Sequence, residues 1–179
     1  MYVMQHQALR ALETKDVARW LKDRVEVVDA LYRFGLGQDL RDRELFASAF
    51  AVDAELDFRP AAAKIGVHTK LMVGRDNIVE SILAVLAGVR TTHVITNPRV
   101  QFDGDFAWLT ALVEAQHLLT ADHRHALLKN LYAVHLVRDG ERWVIRQLHI
   151  DNIWYTGEPE AIFGSETERK KEAADAVEP

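Results

Sequence analysis

The sequence predicts an α+β fold, with helices first and a long antiparallel meander last. Three observations carry this expectation. Apolar residues recur three and four apart through the first half of the chain. After Gly88 the pattern changes to long runs rich in branched and aromatic residues. Turn signals then separate those runs, two of them Asp-Gly pairs, a strong hairpin signal between strand-like segments. Helices and strands segregated in this way define α+β rather than a parallel α/β architecture.

Residues 1–13 read as a short helical arm, with Ala8, Leu9, Ala11 and Leu12 apolar. Thr14 or Asp16 can cap a helix carrying Val17, Trp20 and Leu21. The stretch VVDALYRFGLGQD is helical in pattern, and Lys22, Asp23 and Arg24 leave open whether it joins the preceding helix. Val25, Val28, Leu31, Tyr32, Gly35 and Leu36 mark its apolar side, and Asp39 falls on that same side. In RDRELFASAF, Asp42 is an N-cap ahead of Leu45, Phe46, Ala49 and Phe50. AELDF reads as a short strand ended by Pro60. RPAAAKIGVHTK fits no regular element and is expected to be a loop or irregular strand rimming a pocket. Ile78, Ile82, Val85 and Leu86 mark a further amphipathic helix that stops near Gly88. Three or four long antiparallel strands follow, in TTHVITNPRVQF, DFAWLTALVEAQHLL, ALLKNLYAVHLV and RWVIRQLHIDNIWY, with turns at Asp103-Gly104, Ala121-Asp122 and Asp139-Gly140-Glu141. The globular domain therefore spans 14–157, and residues 158–179 read as a charged, disordered tail.

Composition narrows the function classes. A chain of 179 residues is long enough to enclose a pocket within one domain. The absence of cysteine removes thiol nucleophiles, disulfides and cysteine-ligated metals. Net charge is -5, but seven acidic residues lie from Glu158 onward against Arg169, Lys170 and Lys171. The body is near neutral and has no basic cluster, which argues against nucleic acid as a partner. With neither a secretion-type start nor a long apolar span, the expected setting is cytoplasmic, away from membranes. Some strands are apolar on both faces, as at Trp108-Leu109 and Leu131-Tyr132. A homodimer or homotrimer through the outer sheet face is accordingly expected.

Polar residues on the strands carry the chemistry. Asp39 on an apolar helix side must be hydrogen-bonded, paired or held in a cavity. Alternation places Thr91, His93, Ile95 and Asn97 on one strand face. His117 shares a face with the small residues Ala107, Ala111 and Ala115, which leave room. His135 lines up with Lys129, Leu131 and Ala133, opposite Asn130, Tyr132 and Val134. On the last strand Gln147, His149, Asp151 and Tyr155 lie opposite Arg146, Leu148, Asn152 and Trp154. His149 and Asp151, two apart, could orient one another, and His68 in the loop is a further candidate for touching ligand. There is no HExxH pattern, no phosphate-binding glycine loop and no Gly-x-Ser-x-Gly elbow, so no metal or cofactor is expected.

RVEVVDALYRFGLGQDLRDRELFASAFAVDAELDF, TTHVITNPRVQFDGDFAWLTA and LVRDGERWVIRQLHIDNIW together resemble the SnoaL-like branch of the NTF2-like superfamily. The resemblance covers roughly residues 15–156 and implies a cone: helices closing a strongly bent mixed or antiparallel sheet around a deep apolar pocket. It looks closest to the hexachlorocyclohexane dehydrochlorinase and scytalone dehydratase type. There a histidine takes a proton from substrate and an aspartate late in the first helix orients it. Asp39 and His93 stand at those places. That type has an arginine before the Asp-Gly turn, where this chain has Val137, followed by Arg138. This departure argues against dehydrochlorination. Tyr32, His117 and His135 are candidates for the further tyrosine and histidine roles of scytalone-dehydratase-like enzymes.

The resemblance implies a cofactor-independent lyase or isomerase acting on a small cyclic or polyketide-like substrate, with His93 as base and Asp39 orienting it. Tyr32, Asn97 or His117 would donate to developing oxyanion charge. Leu36, Phe50, Phe58, Leu109, Val113 and Trp154 would line the pocket, with His135, His149 and Asp151 as further ligand contacts. Two alternatives stand beside it. One is a non-catalytic ligand-binding or accessory subunit, such as a ring-hydroxylating dioxygenase small subunit. The other is a polyketide-cyclase-like or hydrolase-like activity in the same pocket.

Overall fold

A single helix, α1 (Thr14–Leu40), runs from the first described turn to the residue after Asp39. The computed structural model describes residues 14–164. The expected arm at 1–13 and most of the expected tail lie outside them. The remaining elements are α2 (Arg43–Ser48), β1 (Phe50–Asp57), α3 (Arg59–Lys64), β2 (Met72–Val73), α4 (Arg75–Val85), β3 (Val89–Asp103), β4 (Phe106–Leu119), β5 (His125–Asp139), β6 (Arg142–Gly157) and α5 (Pro159–Phe163). The strands form one curved, open, six-stranded sheet in the order β2-β1-β6-β5-β4-β3. β1 and β6 are parallel and the other neighbours antiparallel. This is the expected α+β cone.

Local chemistry explains the joints. The Asp42 carboxylate accepts the Leu45 N–H at 2.9 Å, the N-cap bond that starts α2. Gly104 and Gly140 take φ values of 58° and 60° in the two Asp-Gly hairpins. Trp143 of the last hairpin is fully buried, and its indole N–H donates to Asp23 of α1 at 3.2 Å. Arg138 donates to the same carboxylate at 2.8 Å and lies 4.5 Å over the Trp143 ring. It also bonds Asp105, so it is committed to holding α1 against the hairpin.

The core lies between α1 and the inner sheet face. Val27, Ala30, Leu31 and Phe34 of α1 are buried against Leu109, Tyr132, Val134 and Leu148. Phe34, Phe46 and Phe50 meet edge-to-face at 5.5–5.8 Å. The apolar side read from the sequence is partly displaced. Val28, Leu31 and Gly35 face inward, but Val25, Tyr32 and Leu36 are 67%, 48% and 50% exposed. α1 carries apolar residues on more than one side. Burial of Phe34, and close approach at Gly35 and Gly37, select which side docks.

Two further expectations are corrected. RPAAAK is helix α3, because Pro60 sits in the first turn, where its missing N–H costs nothing. Only the remainder, IGVHTK, is irregular. The domain also extends past Gly157: α5 buries Pro159, Ala161 and Ile162, and Phe163 packs on Phe58 with ring centroids 5.7 Å apart. On the outer face Val94, Phe106, Trp108, Leu112 and Trp154 are partly exposed. Glu114 and Lys129 form an ion pair among them.

Candidate functional site

The inner face of β3, β4 and β5, together with α1, α4 and α5, encloses a chamber of about 320 Å³. Phe58, Val67, Ile82, Leu86, Leu128 and Ile150 supply apolar wall. Gln38, His93, His117, Asn130 and Tyr132 supply its inner polar groups.

His93 and Asp39 meet as expected. The His93 Nδ1 lies 2.7 Å from Asp39 Oδ1, and the His93 backbone N–H donates to Oδ2 at 2.8 Å. Both carboxylate oxygens are thus engaged by one residue. An ionised carboxylate only accepts, so Nδ1 carries the proton and Nε2 is left as the basic nitrogen. The two side chains are 4% and 15% exposed. Gly35 makes the approach possible, since a Cβ there would lie 3.1 Å from His93 Cβ. Arg41, at φ 58°, closes the junction. Its guanidinium bonds the carbonyls of Gln38, Leu86 and Val89 and donates to the Thr91 hydroxyl at 3.2 Å. The end of α1 is thereby locked to the start of β3.

Burial by itself pushes the Asp39 carboxyl up. The His93 side-chain hydrogen bond, its charge, its backbone N–H and the Thr91 hydroxyl outweigh that and hold it below the ordinary 3.8. A carboxylate with a depressed folded value stabilises the fold above its unfolded value and loses that contribution as pH falls through the folded one. Below about pH 4 the stability difference between the wild type and Asp39→Asn in urea unfolding is therefore expected to shrink as pH falls. A difference that grows on acidification below about pH 4 would contradict this.

His117 is pushed down to about 3, first by burial and then by the His93 charge, so it is neutral at physiological pH. Its ring lies 6.0 Å from His93 and 4.8 Å from Phe163, centroid to centroid. Its Nδ1 is buried without a hydrogen-bond partner among the described residues. Burial raises Tyr132, partly offset by Asn130, so its hydroxyl keeps its proton and can donate. Beside the candidate base the chamber thus presents a neutral imidazole and a phenol.

Of the other predicted site residues, only Phe58 and His68 join His93 and His117 in the chamber lining. Tyr32 and Leu36 are exposed on the far side of α1. Phe50, Leu109 and Val113 belong to the core. Asn97 is exposed at φ 54° in the irregularity between Thr96 and Arg99. His135 lies on the outer face, stacked on Phe106 and Trp108 at 5.6 and 5.2 Å. His149 and Asp151 do not pair with each other: His149 faces Asp57 at 3.6 Å and Asp151 pairs with Lys64 at 2.7 Å. Trp154 lies under the Lys129 ammonium on the outer face, because the register shifts between Lys129 and Asn130 and reverses the alternation. The sequence reading missed Gln38, Asn130 and Tyr132 as chamber residues. Polar groups alternating with Leu128 and Val134 on one strand face were the available signal for the last two. Among the described residues, no three His, Asp or Glu side chains gather closely enough to hold a metal ion.

Residues 19–149 match the family model described as SnoaL-like domain. A terrestric acid biosynthesis cluster protein of Penicillium crustosum is 30% identical over 152 residues, covering 80% of this chain and 91% of its own. A Novosphingobium aromaticivorans protein provisionally assigned as a scytalone dehydratase aligns with a TM-score of 0.68 at 18% identity, over 78% of this chain and 89% of that one. A hexachlorocyclohexane dehydrochlorinase of Novosphingobium barchaimii aligns with a TM-score of 0.64 at 20% identity, over 79% and 93%. At those identities the two structures share the fold.

Proposed function

The chain belongs to the SnoaL-like domain family, and from that premise we propose a cofactor-independent lyase or isomerase acting on a small cyclic or polyketide-like substrate. The observation that carries this is the 2.7 Å bond from Asp39 to Nδ1 of His93, a residue of the chamber lining. His93 Nε2 takes a proton from a carbon next to a carbonyl, and Asp39 stabilises the imidazolium that forms. The C–H electron pair forms the new double bond as a neighbouring C–O bond breaks. The departing oxygen takes up the proton from His93, water leaves and the imidazole is regenerated. Where no leaving group is present, the proton returns to another carbon and the double bond shifts. The Tyr132 hydroxyl or His117 donates to the carbonyl oxygen as charge develops there. The relative from a biosynthesis cluster supports a natural-product substrate.

Incubation with a panel of small cyclic β-hydroxy ketones in D₂O, followed by mass spectrometry, tests this. Loss of water or deuterium incorporation in the wild type, absent in His93→Ala, is the expected result. Binding of panel members without either reaction would replace the proposal with the ligand-binding or accessory-subunit alternative.

For the outer sheet face we propose a second copy of this chain as partner, in a homodimer or homotrimer. The exposed Val94, Phe106, Trp108 and Leu112 support it. Trp108→Glu is expected to reduce the sedimenting mass to that of one chain. A wild type that already sediments as a monomer would refute it.

A further inference from the structure

The chamber is asymmetric in charge. Its buried end holds Gln38, His117, Asn130 and Tyr132, all nearly inaccessible to solvent. Its exposed members include His68, Lys70 and Val85, which place the mouth beside the segment that leads into β2. Among the described residues, no Asp or Glu side chain lines the chamber.

Lys70 differs from the other lysines whose side chains are described. Lys22 pairs with Glu141, Lys64 with Asp151 and Lys129 with Glu114. Lys70 has no carboxylate partner among the described residues, and His68 beside it has none either. An ammonium at the rim of a mostly apolar cavity attracts an anion more strongly than one in open water, because the walls lower the local dielectric. A neutral ligand leaves Lys70 solvated and gains nothing from it, and a cationic ligand is repelled.

We propose that Lys70, with His68 next to it, forms a subsite for an acidic group. The ligand is then an amphipathic organic acid: its ring skeleton enters the chamber, and its carboxylate or comparable anion stays at the mouth. The assignment rests on the chamber being the ligand site, and does not require His93 to act as a base. Lys70 is a specificity-determining residue here, since it acts on a part of the ligand remote from the reacting carbon.

The test uses two nearly isosteric probes, naphthalene-2-carboxylate and its neutral carboxamide. Each is titrated into the wild type and Lys70→Met while the ring-proton resonances of His93 and His117 are followed. In the wild type the carboxylate is expected to bind roughly threefold tighter than the amide, the scale of a partly exposed charge pair. Added salt reduces that preference. Lys70→Met is expected to remove it and leave amide binding unchanged. If both probes move the histidine resonances with equal affinity, or if Lys70→Met weakens both alike, the acidic subsite is overturned while the chamber stands as a ligand site. If neither probe moves them, the chamber does not admit rings, and the proposed substrate class falls as well.

Discussion

Turnover in His93→Ala is expected to fall by about two to four orders of magnitude, the contribution of a positioned general base. Alanine also strips the Asp39 carboxylate of its imidazole donor while the backbone N–H to Oδ2 remains. A modest loss of stability, roughly 1–3 kcal/mol for an unsatisfied buried acceptor, therefore accompanies the loss of activity. His93→Asn separates the two effects. Its amide nitrogen sits close to where Nδ1 was and can still donate to Asp39, but it offers no basic nitrogen to a substrate. Near-native unfolding with turnover as low as in the alanine variant is the expected outcome, read by urea denaturation and product formation. Activity retained in both variants would remove His93 from the chemistry.

The largest structural effect is expected from Gly37→Ala. A Cβ at this position would lie 2.5 Å from both Phe46 N and Cα and 2.6 Å from Phe46 Cβ. The obstacle is mainly backbone, so no side-chain rotation relieves it, and α2 must move away from α1. Phe46 is fully buried against Phe34 and Phe50, so this movement opens the core two residues before Asp39. A loss of roughly 3 kcal/mol is expected in thermal or urea unfolding, together with a weakened Asp39–His93 contact. Gly74→Ala is a useful contrast, since nothing lies within 4 Å of the added carbon and the cost there comes from its φ of 87° alone. Similar unfolding curves for Gly37→Ala and the wild type would show that the α1–α2 contact is looser than described.

Asp39 and His93 were each legible as candidates because both depart from their surroundings, a carboxylate on an apolar helix side and an imidazole in a strand of branched residues. That they meet was legible only through the resemblance to the SnoaL-like branch. The four long strands and the hairpins at Gly104 and Gly140 were legible for the same kind of reason, since alternation and Asp-Gly turns are local signals. Side-chain facing was legible only where the strands are regular. Trp154 reads as opposite to Asp151 by simple alternation, and one shift of register beyond Asn130 turns it outward. Tyr32 and Leu36 failed differently. α1 has apolar residues on more than one side, and which of them are buried is decided by Phe34, Gly35, Gly37 and the surfaces they meet elsewhere in the chain. RPAAAK shows a third limit, because a proline that ends one element also begins another well. Tyr132 and Asn130 went unnoticed as chamber residues because alternation supplies a face but not which face the cavity takes.

The central claim is that Asp39 fixes the tautomer of the His93 base, with the proton on Nδ1 and Nε2 free to accept. Long-range ¹H–¹⁵N correlation of the His93 ring, recorded at a pH where the ring is uncharged, tests it most directly. The account predicts an Nδ1-protonated tautomer with a pyridine-like Nε2 resonance. A ring protonated at Nε2, with Nδ1 bare, would contradict it.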